Sequence, residues 1–231
     1  MLKRERENEK KNFKELTMKK KIEHIKEYYT IHIISVIVGI IVIYSLLNIW
    51  VINPAKSSSV NLTFVGQVVD YEKVDQLKAE LNENFPEYTN DKETILVDKI
   101  NFGDGSDPNV LMAMQTRLTA SIQTRDIDII IADSDFIRQY GEMGTFMDLE
   151  QVFTKEKFEN IPFDKMELSI IEKDIDDNVE VLDPHYYGID ISSIEKLNEL
   201  VYGDDVVAAI VVNSDRLEET KKVLEYLLEQ K

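Results

Sequence analysis

Three loops in this sequence set small and polar residues directly after an apolar run: Gly66-Gln67, Gly103-Asp104-Gly105 and Asp133-Ser134-Asp135. In an open α/β sheet, ligands bind beyond the carboxyl ends of the strands, where such loops converge on one edge. Carboxylates and backbone amides gathered there would form a shallow polar site for a solute group or a protein partner. The candidate ligand-binding residues are therefore Gly66, Gln67, Asp104, Asp133, Ser134 and Asp135. The same residue types also turn chains and cap helices, which is the plainer account of them. Asp104, Asp107, Asp133 and Asp135 have oxygens to offer calcium, but residues 103–109 lack the alternating acids and bidentate Glu of a calcium loop. No metal site is expected. Asp174-Ile175-Asp176-Asp177 and Asp204-Asp205 read as solvated charge.

Catalysis finds little to work with. The histidines are His24, His32 and His185, the first two before and within a long apolar run. His185 stands in Asp183-Pro184-His185-Tyr186-Tyr187 with no cysteine anywhere and no G-x-S-x-G nucleophile elbow, so it reads as structural. Gly103-x-Gly105 lacks the later glycine and the lysine of a phosphate loop. No catalytic residue and no cofactor is expected, and the chain does not read as an enzyme.

The elements that would position these loops follow from periodicity. Val60–Val65 reads as a strand. Val74, Leu77, Leu81 and Phe85 lie three or four apart, which makes one face of a helix over Tyr71–Phe85, with Pro86 as its stop. Thr94–Phe102 is a second strand. Val110, Met114, Leu118 and Ile122 share a helical face between Pro108 and Thr124, capped by Asp107 or Ser106. Ile127–Ala132 is an aliphatic run of the kind buried on both faces of a parallel sheet. Phe136–Gly141 predicts a short helix, and residues 154–180 are charged and less regular. Val206–Val212 predicts another buried strand, and Asn213 or Ser214 a cap for a last helix with Leu217, Val223, Leu224, Leu227 and Leu228 inward. Alternating strands and helices at this spacing give an α/β fold with right-handed crossovers. Asn61-Leu62-Thr63 matches a glycosylation acceptor, but it falls inside the first strand.

Three stretches, taken in order, resemble extracellular solute-binding proteins of the type 2 periplasmic-binding-protein fold. They are Asp126–Ser134 with Phe136 and Tyr140–Leu149; Tyr187-Gly188-Ile189-Asp190, similar to that family's crossover segment; and Ala208–Leu228, similar to its returning strand and late helix. In that family two α/β lobes close around a ligand. Here the returning strand follows Tyr187-Gly188 within about twenty residues, too few for a second lobe, since an α/β domain needs on the order of a hundred. The resemblance thus implies one lobe alone, which cannot enclose a solute by hinge closure.

The location of that lobe is read from the chain's other end. Tyr28–Ala55 is 28 residues without Asp, Glu, Lys or Arg. A bilayer core needs roughly 20 apolar residues in a helix, and in lipid the backbone must satisfy itself, so helix overrides the β-branched composition. Tyr28, Tyr29 and Trp50 suit the two interfaces, and Pro54 would end the helix. Residues 1–27 carry ten Lys or Arg against six Glu, which the positive-inside rule places in the cytoplasm. A cleaved signal peptide is the rival, but the apolar run exceeds a signal core and no A-x-A-like site follows. The remainder holds 17 basic and 38 acidic residues, an unsuitable surface for nucleic acid. The expected organisation is a basic cytoplasmic tail at 1–27, a transmembrane helix at 28–53, a linker at 54–59, and an extracytoplasmic single-lobe domain at 60–231. The fold class is α/β: one transmembrane helix plus one three-layer lobe with a mostly parallel sheet. The expected function is a membrane-anchored, solute-binding-like protein with a binding or accessory role at the cell surface. Its partner would be a membrane transporter or another membrane protein, and whether a small solute binds stays open. The alternative is a protein-interaction or sensor module with no solute ligand.

Overall fold

The structure, a computed structural model, describes residues 17–18, 30–52, 56–66, 69–102, 107–173, 179–201 and 205–230. The basic tail apart from Thr17 and Met18, and Tyr28, Tyr29, Pro54, Gln67, the Gly103–Ser106 loop, Asp174–Asp177 and Asp204, lie outside the described residues. The chain divides into two compact units, Met1–Ala55 and Lys56–Lys231.

In the first unit, Thr30–Leu47 is an α-helix (α1) that passes into a π-helical turn at Asn48–Ile52. The apolar span Thr30–Val51 is 22 residues, or about 33 Å at the helical rise, and none of it is buried in protein. It is long and apolar enough to cross a membrane. Ser35 donates its hydroxyl to the Ile31 carbonyl, which satisfies that polar atom within the helix.

The second unit is a mixed α/β lobe. Its strands are β1 (Ser57–Gly66), β2 (Glu93–Asn101), β3 (Ile129–Asp133), β4 (Lys165–Leu168), β5 (Ile171–Lys173), β6 (Val179–Val181), β7 (His185–Asp190) and β8 (Val206–Ile210). Its helices are α2 (Tyr71–Asn84), α3 (Pro108–Gln123), α4 (Ser134–Gly141), α5 (Leu149–Val152), α6 (Lys155–Glu159), α7 (Glu195–Asn198) and α8 (Leu217–Leu228). Six strands form one sheet in the order β2-β1-β3-β8-β7-β4, and β5 and β6 form a separate hairpin.

The sheet is more mixed than the aliphatic runs suggest. β1 pairs parallel with β2 and β3, whereas β8 enters antiparallel to both β3 and β7, and β4 is antiparallel to β7. A run such as Val206–Ile210, buried throughout, reports burial on both faces but carries no information about direction. β1 begins at Ser57, inside the stretch that reads as linker, because Ser57 pairs with Glu93 and donates its N–H to the Lys92 carbonyl.

Side chains alternate across the sheet into two cores, which gives three layers. Leu62, Phe64, Ile129, Ile131, Ala208 and Ile210 face α2 and α8, meeting Val74, Leu77, Leu81, Val223, Leu224 and Leu227. Val65, Ile130, Ala132, Val207 and Ala209 face the other way, toward Leu118 of α3 and Ile137 of α4. Gly188 on β7 is fixed by space, since a Cβ there would sit 2.5 Å from Val207 Cγ1. Asn61 is buried in β1 beneath Thr63, whose hydroxyl bonds its side-chain oxygen, so the acceptor triplet is part of the core.

Candidate functional site

The described carboxyl ends of β1, β2 and β3 share one edge, and several of their polar groups are occupied by the fold. Gly66 is buried and its carbonyl accepts the Phe102 N–H at 2.8 Å. Asp133 caps α4, its Oδ1 accepting the Phe136 N–H at 2.9 Å. Ser134 opens that helix and donates its N–H to the Asp205 carbonyl, while Asp135 is exposed. Asp70 caps α2 and Asp107 caps α3, as an Asp before a helical stripe predicts. Asp190 accepts from Ser192 N–H at 2.8 Å. The structure brings Gly66, Asp133 and Ser134 to one edge; Gln67 and Asp104 lie outside the described residues.

The segment after β7 closes part of this edge. Ile191, Ile194, Leu197, Leu200 and Val201 are buried in the core on the α2 side, and Val201 pairs with Val69 just past β1. Asp70 N–H then donates to the Leu200 carbonyl. The described residues of this passage, Ile191–Val201, pack into the lobe's own core.

The opposite edge holds two buried carboxylates that the sequence did not reveal. Asp128 falls in the run expected as strand, yet β3 starts one residue later. The Asp128 side chain is fully buried, and Arg216 grips it from Nε (3.1 Å, to Oδ1) and Nη2 (2.9 Å, to Oδ2). Ser214 Oγ donates at 2.6 Å and Asn61 N–H at 2.7 Å. Arg216 also donates to the Ser58 and Arg125 carbonyls. This accounts for a cap that does not form. Ser214 turns to Asp128 and Asn213 donates to the Ile122 carbonyl, so α8 begins at Leu217 without a side-chain cap.

The second buried carboxylate is Asp148, which caps α5 through the Glu150 N–H (3.0 Å) and accepts Gln151 Nε2 (3.2 Å). Its Oδ2 lies 3.2 Å from His185 Nδ1, and Glu150 Oε2 lies 3.9 Å from the same nitrogen. One ligand-type atom from each of Asp148, Glu150 and His185 falls within 4.8 Å of the others. Asp148 is buried, whereas Glu150 and His185 are about half exposed. Tyr187, two residues along β7, is buried nearby, and burial followed by the Asp148 charge raises its phenol above the ordinary value. His185 is thus not alone. Its partners come from a distant stretch that packing brings alongside β7, and no local spacing could have announced them.

A third feature is an open groove of about 710 Å³ between the α5–α6 region and the end of α8. Phe153, Ile161, Pro162, Phe163 and Leu228 line it, and the Lys157–Glu225 ion pair (2.7 Å) stands in its wall.

Comparison of the chain with protein-family models, curated proteins and solved structures finds no match.

Proposed function

We propose that this chain is a single-pass membrane protein. Its tail is cytoplasmic, and its extracytoplasmic lobe is akin to one lobe of a solute-binding protein. The lobe serves in a binding or accessory role at the cell surface, beside a membrane transport complex. The observation that carries this reading is the passage from β7 to β8, whose residues Ile191–Val201 fold into the lobe's own core. The lobe is therefore a self-contained unit with no partner half in this stretch of chain, as expected for a module that binds without hinge closure. The exposed apolar α1 supplies the anchor, and the ten Lys and Arg of residues 1–27 favour the cytoplasmic side for the tail.

The second reading, a protein-interaction or sensor module without a solute, draws support from two features. Asp133 and Asp190 at the carboxyl edge are spent on a helix cap and a turn, and the groove beside α8 sets Phe153, Ile161, Phe163 and Leu228 among polar residues, a mix that a protein contact can use. One experiment separates the readings. The full chain is placed in nanodiscs, and its melting is followed against panels of sugars, amino acids and peptides. A rise of several degrees with one class supports solute binding. A cooperative melt that no solute moves supports the interaction module. Protease treatment of intact cells tests the topology: if the lobe stays protected from external protease, the anchored, outward-facing arrangement is wrong.

A further inference from the structure

We propose that Asp148, Glu150 and His185 form a binding site for one divalent transition-metal ion, with Zn²⁺ the best fit. The site is independent of the membrane reading and of any solute. Three donors suited to Zn²⁺ converge here: one imidazole nitrogen and two carboxylate oxygens. Bonds of about 2.0–2.2 Å in a tetrahedral arrangement put ligand atoms roughly 3.3–3.5 Å apart. The His185 Nδ1 to Asp148 Oδ2 distance of 3.2 Å is just short of that range, and Glu150, with Oε2 3.9 Å from the nitrogen and the three donors all within 4.8 Å of one another, closes in by rotation of its half-exposed side chain.

The charge balance points the same way. Among the described residues, the ion pairs of Asp148 and Glu150 are with His185 alone, so two carboxylates, one of them buried, share a single imidazole. A buried carboxylate held without a full counter-charge is costly, and a dication would supply one. Asp148 is also oriented in advance. Glu150 N–H holds its Oδ1 and Gln151 Nε2 its Oδ2, the kind of outer support that fixes metal ligands. The imidazole disfavours Ca²⁺ and Mg²⁺, which prefer all-oxygen shells. Three protein ligands with a solvent-facing side leave a fourth position for water or for a group brought by a partner.

The test uses the full chain in detergent, without a purification tag and stripped of metal by chelator, titrated with ZnCl₂ by calorimetry. Bound metal is counted after dialysis. The expected result is one Zn²⁺ per chain and a raised melting temperature. His185→Ala and Glu150→Gln alter half-exposed side chains, so both should keep the cooperative melt of the parent while weakening Zn²⁺ binding by at least about tenfold, the loss that even an outer-shell change causes. Absence of stoichiometric Zn²⁺ overturns the proposal. So does binding that survives His185→Ala unchanged.

Discussion

Asp128 and Asp148 are buried carboxylates on either side of Val211: the Asp128 carbonyl accepts the Val211 N–H, and Val211 pairs with Phe146, two residues before Asp148. The fold treats them differently. Asp128 receives an arginine, a serine hydroxyl and a backbone amide, and it is sealed from water. Asp148 receives one amide N–H, a glutamine amide and a half-exposed imidazole, with a second acid beside it. A carboxylate whose donors are all internal serves as a structural joint. One whose counter-charge is incomplete and reachable from solvent can take up something more. The contrast teaches that burial alone does not make an acid a candidate site; an incomplete shell of donors and counter-charge is what sets Asp148 apart.

The sharpest way to break this contrast is to remove each acid in turn and measure denaturant unfolding. Asp128→Ala leaves Arg216 unpaired at a largely buried site and should cost about 3–5 kcal/mol. Asp148→Ala removes a helix cap and should cost about 0.5–2 kcal/mol in metal-free buffer. Equal losses would sink the distinction. His185→Ala, at a half-exposed pair, should cost no more than about 1 kcal/mol in the same buffer.

The smallest effect at neutral pH belongs to Tyr187→Phe, which becomes visible only in alkali. Burial and the Asp148 charge raise the Tyr187 phenol above 10.0, so the folded state favours the protonated form. That contribution is complete below the unfolded value and is lost as pH rises through the folded one. Stability should therefore fall above about pH 10 in the parent and fall less steeply in the Tyr187→Phe variant. Parallel alkaline curves for the two proteins would show that Tyr187 does not sense Asp148.

Much of the lobe was legible because strong periodicity reports burial. The Val74–Leu77–Leu81 stripe is buried as spaced, Asp107 caps α3, and Ile129–Ala132 is the central strand. What escaped was non-local or weakly patterned. β4 and the β5–β6 hairpin are three or four residues long and rich in charge, so their pairing depends on neighbours. The Asp128–Arg216 and Asp148–His185 pairings join distant stretches, and no spacing rule reaches across them. By residue type the strand-end aspartates suit both ligand binding and helix capping. The structure shows Asp133 working as a cap, the role that a local rule is able to predict.

The position of β1 carries a mechanical consequence. The first described residues after the apolar helix, Lys56 and Ser57, enter the lobe along this strand, which lies between two parallel neighbours. A load on these residues would be shared by the strand's pairing with β2 along its length and with β3 at Leu62–Phe64. Arg216 adds a rivet at Ser58, tying the point of entry to the segment that leads into the last helix. The beginning of the lobe is thus tied in by backbone and side chain alike.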